Sequence, residues 1–206
     1  MKTVEFGKQN NDVIMLLHGG GLSWWNYKAE AELLKNRYHV VLPILDGHAG
    51  SDNDFISIEK NASRLISFID KEFGGSVLLI GGLSLGAQIL VEMLTQQNTI
   101  CQNAVIESAS VIPSKMTNAL IKPMFSLSYG LVKMKFFSQM QFDYLHIRKD
   151  LFEDYYQDTS QISKENMIAF LEANTSYEIK PGLQDTHAKV HVIVGEKEQK
   201  KMIFRV

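Results

Sequence analysis

The stretch Val77-Leu-Leu-Ile-Gly-Gly-Leu-Ser84-Leu-Gly86-Ala87 constrains this chain more than any other. The apolar run over residues 77–80 has the length and composition of a buried strand, and residues 87–94 continue at helical spacing. Between them lies Gly82-Leu83-Ser84-Leu85-Gly86, a Gly-x-Ser-x-Gly turn. A serine on so sharp a strand-to-helix turn holds a strained backbone and crowds both flanking elements, and Gly82 and Gly86 supply the missing space. The turn also sets the Ser84 hydroxyl at a helix N-terminus, where amide N–H groups and the helix dipole stabilise negative charge. A phosphate-gripping loop is the competing reading. It fits poorly, because no Lys-Ser/Thr pair follows Gly86 and the glycines do not follow Gly-x-Gly-x-x-Gly.

Around this turn, short apolar runs alternate with helical patterns. Val13–Leu17 reads as a central buried strand, residues 29–34 as a helix, and 40–44 as a strand ending near Pro43. Residues 58–69 repeat apolar positions at helical spacing, and 104–106 and 190–194 read as two later strands. This alternation predicts an α/β fold, a mostly parallel sheet covered by helices on both faces. Between the last two strands the pattern changes. Residues 112–182 lack strand signals, are rich in Met, Phe and Tyr, and show helical periodicity over 119–132 and 164–173. They are read as a helical insertion over one end of a core made of residues 1–111 and 183–206, since a simple crossover needs far fewer residues.

Composition narrows the partners. The formal net charge of −2 is spread along the chain, which favours neither nucleic acid nor an anionic membrane surface. The apolar stretch at 77–94 contains Gln88, Glu92 and several glycines, so it reads as strand, turn and helix instead of a membrane span. With one cysteine, Cys101, and no signal-peptide pattern at the start, a soluble cytoplasmic protein is expected. No metal-ligand spacing is present, and no cofactor is needed for serine chemistry.

A second glycine-rich turn completes the pattern: His18-Gly19-Gly20-Gly21 directly follows the strand Val13–Leu17. With the Gly-x-Ser-x-Gly turn, it makes the chain resemble the α/β-hydrolase family, serine hydrolases whose helical cap sits over the sheet. The resemblance implies Ser84 as nucleophile. It implies an oxyanion hole from the backbone N–H of Gly20 or Gly21 together with that of Leu85. His18 itself is read as a structural histidine bonded to backbone. Asp46-Gly47-His48-Ala49-Gly50-Ser51 resembles a shortened structural loop of the same family, which makes Asp46 and His48 poor triad candidates. Trp24 and Trp25 read equally as pocket lining or as core.

The family order is serine, then acid, then histidine. Gly195-Glu196-Lys197-Glu198 follows the late strand, and Glu198 takes the place of the usual aspartate, with Glu196 and Glu107 as alternatives. No histidine follows Glu198. His187 and His191 precede it and belong to the wrong end of the sheet, His146 lies in the insertion and His39 before a strand. The resemblance thus implies a chain lacking the family's last strand, histidine loop and last helix, with impaired turnover and an exposed sheet edge through which a homodimer could form. The implied substrate is a small ester, thioester or amide with an apolar group, suggested by Met116, Met124, Phe125, Met134, Phe136, Phe137 and Met140. A non-catalytic small-ligand-binding relative is the alternative.

Overall fold

A computed structural model describes residues 1–145 and 147–196. Six strands form one sheet: β1 (Thr3–Phe6), β2 (Val13–Leu17), β3 (His39–Pro43), β4 (Val77–Leu83), β5 (Cys101–Glu107) and β6 (Lys189–Ile193). Their spatial order is β1-β3-β2-β4-β5-β6, with β1 antiparallel and every other pairing parallel. The expected mostly parallel α/β fold is present. The helices are α1 (Lys28–Leu34), α2 (Ile58–Phe73), α3 (Leu85–Gln96), α4 (Lys115–Val132), α5 (Lys135–Tyr144), α6 (Phe152–Gln161) and α7 (Lys164–Ser176).

The core follows from the sequence pattern. β2 and β4 are central strands, and Met15, Leu17 and Ile80 are wholly buried. Helix α3 is buried along Leu85 to Leu94, so its amphipathicity is weak and its two polar residues need partners. Gln88 Nε2 donates to the Ser110 and Asn174 carbonyls, and Glu92 accepts from Lys180 Nζ at 3.1 Å and from Gln96 Nε2 at 2.9 Å. Helix α2 begins at Ser57, whose side chain accepts from the Lys60 amide, and ends at Gly74 with φ 68°.

The structure extends several sequence expectations. β4 runs on through Gly81, Gly82 and Leu83 to the serine itself. The region between β5 and β6 holds four helices, where periodicity predicted two, and α4 passes through Pro123. The short strand β1 was not expected at all. Among the described residues no helix is long and apolar enough to cross a membrane.

Candidate active site

Ser84 stands between the last residue of β4 and the first of α3, with φ 52° and ψ −109°. That backbone is disfavoured for any residue with a Cβ and is held by its surroundings. The Ser84 amide donates to the Glu107 carbonyl at 2.9 Å, and its carbonyl accepts from the Gln88 amide at 3.0 Å. The hydroxyl makes no capping bond to α3. The flanking glycines are required by close packing. A Cβ on Gly82 would lie 2.5 Å from the Gly86 carbonyl oxygen, and one on Gly86 would overlap the Leu17 and His18 carbonyls. Gly86 therefore lets the start of α3 press against the end of β2, which brings the His18–Gly21 loop beside the serine turn.

That loop is fixed by two buried histidines. His18 Nδ1 faces the Gly19 carbonyl at 2.9 Å, and its Nε2 accepts the Leu45 amide at 3.2 Å. His48 Nδ1 faces the Asp46 carbonyl at 3.1 Å, and its Nε2 accepts the Gly21 amide at 3.0 Å. A nitrogen that accepts a backbone N–H cannot carry its own proton, so both rings are neutral with the proton on Nδ1. Burial agrees. It drives His18 well below its ordinary value, with His48 adding to the effect, and it drives His48 down to about 4. The rings meet edge to face at 4.8 Å, and His48 stacks on Phe170 at 4.9 Å. Asp46 is buried and paired with Arg64, and its amide donates to Asn61 Oδ1. His18, Asp46 and His48 are thus occupied in structure, as expected of them.

This network engages one of the two loop glycines. The Gly21 amide is committed to His48. Gly20 lies beside the serine turn: a Cβ built on it would stand 3.5 Å from Leu85 Cδ2 and 3.4 Å from the Phe170 ring. Gly20 and Leu85, from separate elements, lie close to each other.

The candidate acids are dispersed. Glu107 is the last residue of β5, paired with Leu83 and Ile193, at the same end of the sheet as Ser84. With burial as the larger cause, its charge helps raise the Tyr27 phenol. Glu196 is exposed in the turn after β6. Glu198 and His146 lie outside the described residues. The His187 amide bonds the Asn98 carbonyl at 2.8 Å, before β5 begins, so His187 stands at the far end of the sheet. His39 opens β3 and is tied to Glu5 at 2.7 Å, and His191 pairs with Val105 in the middle of β6. Among the described residues no histidine is free beside Ser84.

Beside the oxyanion loop is a cavity of about 460 Å³, mainly apolar and lined by Phe125, Val132, Phe137, Met167 and Phe170 with Gly20 at its base. Ser84 itself is not part of its lining. The helices above it are anchored to the loop: Thr159 Oγ1 donates to the Gly21 carbonyl at 3.1 Å and Trp25 Nε1 to Asp158 Oδ2 at 2.8 Å. Trp25 is almost wholly buried with Leu22, Phe142 and Tyr155, so it is core, and neither tryptophan lines this cavity. No sequence signal marked Thr159, Asp158 or Phe170, because each reaches the loop from more than a hundred residues away.

The sheet order, the strained serine turn and the opposed glycine loop define an α/β hydrolase. The sequence profile of the alpha/beta hydrolase family matches residues 14–199, and the chain belongs to that family. No functionally curated protein matches it. Among solved structures it is similar to the enol-lactonase from Burkholderia xenovorans LB400, with a TM-score of 0.77 and 15% identity over 95% of this chain and 77% of that one. A carboxylesterase structure from the thaumarchaeon Nitrososphaera gargenis gives a TM-score of 0.76 and 16% identity, covering 98% and 78%. A thermophilic esterase from Thermogutta terrifontis gives 0.70 and 14%, covering 94% and 84%.

Proposed function

We propose that this chain is a serine hydrolase of the carboxylesterase type, acting on an ester, thioester or amide that carries an apolar group. The observation that carries this reading is Ser84 at φ 52° on a glycine-cleared turn, with Gly20 and Leu85 close to each other beside it. In the reaction the Ser84 oxygen attacks the substrate carbonyl and its proton passes to a base. The Gly20 and Leu85 amides receive the developing oxyanion, the alcohol, thiol or amine departs with a proton, and water then releases the acid. Residues 112–182 act as the cap, and the cavity beneath α4, α5 and α7 takes the apolar group. The acid is Glu198, or else Glu107 at the serine end of the sheet.

Because no free histidine accompanies Ser84 among the described residues, turnover should be slow, roughly ten-thousandfold or more below that of a complete triad. The test is p-nitrophenyl butyrate hydrolysis with and without added imidazole, with Ser84→Ala measured at each imidazole concentration. The expected result is a Ser84-dependent rate that rises with imidazole, because the free base supplies the missing proton acceptor. Equal rates for parent and Ser84→Ala at every concentration would sink the proposal. One observation favours a second reading, a non-catalytic binding protein: the apolar cavity touches the glycine loop but not Ser84. Thermal stabilisation by a small apolar acid that persists in Ser84→Ala, with no hydrolysis, would support that reading instead.

A further inference from the structure

Helix α5 turns one stripe toward the cavity beside the glycine loop: Phe137, Met140, Gln141 and Tyr144, which recur at three and four residues. Phe137 packs on the core, whereas Met140 is 55% exposed and Tyr144 83%, so the stripe runs from the interior to the cavity mouth. A helix stripe that faces an apolar cavity is expected to be apolar throughout. Gln141 interrupts it and is half-buried. Taking a carboxamide out of water costs stability unless its polar atoms find partners.

The protein itself uses one end of that side chain. From α6, the Tyr155 hydroxyl donates to Gln141 Oε1 at 3.4 Å. Burial raises the Tyr155 phenol above its ordinary value, against a smaller lowering by Thr159, so the hydroxyl keeps the proton it donates. Gln141 Nε2 has no hydrogen-bond partner among the described residues, which leaves a neutral N–H donor on the cavity wall. Thr159, also in the lining, already donates to the Gly21 carbonyl. Among the described residues no Asp, Glu, Lys, Arg or His side chain lines the cavity. Tyr155 stands one helical turn before Thr159, about 6 Å along α6, a distance that an extended chain crosses in about five bonds.

We propose that Gln141 is a specificity residue of this cavity, and that the apolar group it selects is neutral and carries a hydrogen-bond acceptor, a ketone or ether oxygen. That oxygen lies about five bonds beyond the carbonyl held at the glycine loop. The inference rests on the reading of the cavity as the site of the substrate's apolar group, and it names the chemistry of that group. Gln141 Nε2 donates to the oxygen, while Tyr155 holds the other end of the carboxamide and so fixes its direction. A plain hydrocarbon chain leaves the N–H donor without a partner. A carboxylate at the same place is taken out of water with no cation beside it.

The test is calorimetric titration of the full chain carrying Ser84→Ala, which cannot be acylated, with methyl heptanoate, methyl 5-oxoheptanoate and methyl 6-oxoheptanoate. At least one oxo ester should bind as tightly as the plain ester or more tightly. Adding Gln141→Leu should lower the ratio of oxo to plain affinity by about three- to tenfold, as expected for one neutral hydrogen bond. Adding Gln141→Glu instead keeps the side-chain length and the acceptor for Tyr155 but has no N–H, and it should lower the ratio at least as far. This second variant separates loss of the donor from loss of packing. Monomethyl heptanedioate, which ends in a carboxylate, should bind at least about tenfold more weakly than the better oxo ester. A ratio unchanged in both variants would overturn the proposal, as would preference for the plain ester or equal binding of the carboxylate. Binding of none of these esters would remove the cavity as a ligand site and the proposal with it. The hydrolase reading fails separately: oxo esters that bind through Gln141, yet are not cleaved by the Ser84 chain with imidazole, leave this assignment standing and defeat that one.

Discussion

At φ 52° and ψ −109°, Ser84 occupies a region that glycine enters freely and other residues enter at a cost of about 1–3 kcal/mol. The fold bears that cost in order to present the hydroxyl. Ser84→Gly should therefore raise stability by about 1 kcal/mol, a few degrees in melting temperature for a chain of this size, while removing any Ser84-dependent turnover. A melting temperature that falls would show the turn to be unstrained. His48 supplies a second prediction at this scale. Its ordinary value of 6.5 is lowered to about 4 by burial, and protonating Nε2 would break its bond from the Gly21 amide. Between those two values the unfolded chain binds a proton that the folded one refuses. Stability is therefore complete above about pH 6.5 and declines as pH falls toward 4, by about 3 kcal/mol for this ring, and His18 acts in the same direction. Denaturation midpoints measured across that window should show the decline, and His48→Gln should flatten it in part. An unchanged slope in the variant would rule out this role for His48.

At the scale of elements, the helices between β5 and β6 rejoin the core through a polar latch. Lys180 Nζ reaches Glu59 at 2.6 Å and Glu92 at 3.1 Å, and the Tyr177 hydroxyl donates to Glu92 at 3.4 Å. The hydrogen bond from Lys180 holds the Glu59 carboxyl below its usual range. Burial alone would lower Lys180, but its two carboxylate partners raise it instead. Lys180→Met would leave Glu92, 3% exposed, as a buried charge without its cation. Because Lys180 remains 41% exposed and screened, the expected cost is about 1–2 kcal/mol, less than for a fully buried pair. Adding Glu92→Gln should recover most of it, and urea melts of the two variants check both steps. Elements of this kind were unevenly legible in the sequence. β2, β4 and α3 announced themselves because buried strands read as unbroken apolar runs and glycine punctuates their ends. β1 is four residues long, half-buried and antiparallel, so neither alternation nor an apolar run marks it. Helices α5 and α6 carry no strong start signal, whereas the periodicity of α4 is legible through Pro123. The serine turn and glycine loop were legible because local backbone geometry dictates their residues. The bond from the Gly21 amide to His48 was not, since it joins residues 27 apart in the chain.

At the scale of the whole molecule, the two edges of the sheet are unlike. β1 is half-buried and carries Glu5, which meets Lys8 and His39, so charge guards that edge against further pairing. β6 is the other edge among the described residues, and all five of its residues are exposed, including Val190, Val192 and Ile193. An open apolar strand with unpaired backbone groups is a template for another chain. The chain should therefore self-associate at micromolar concentration, seen as a dimer or larger species by light scattering. Val192→Lys should shift the population toward monomer without lowering the melting temperature, because the new side chain is already in solvent. Leu127→Glu, at an exposed position on α4, should leave this equilibrium unchanged. A parent that scatters as a clean monomer would mean that β6 does not serve as an interface.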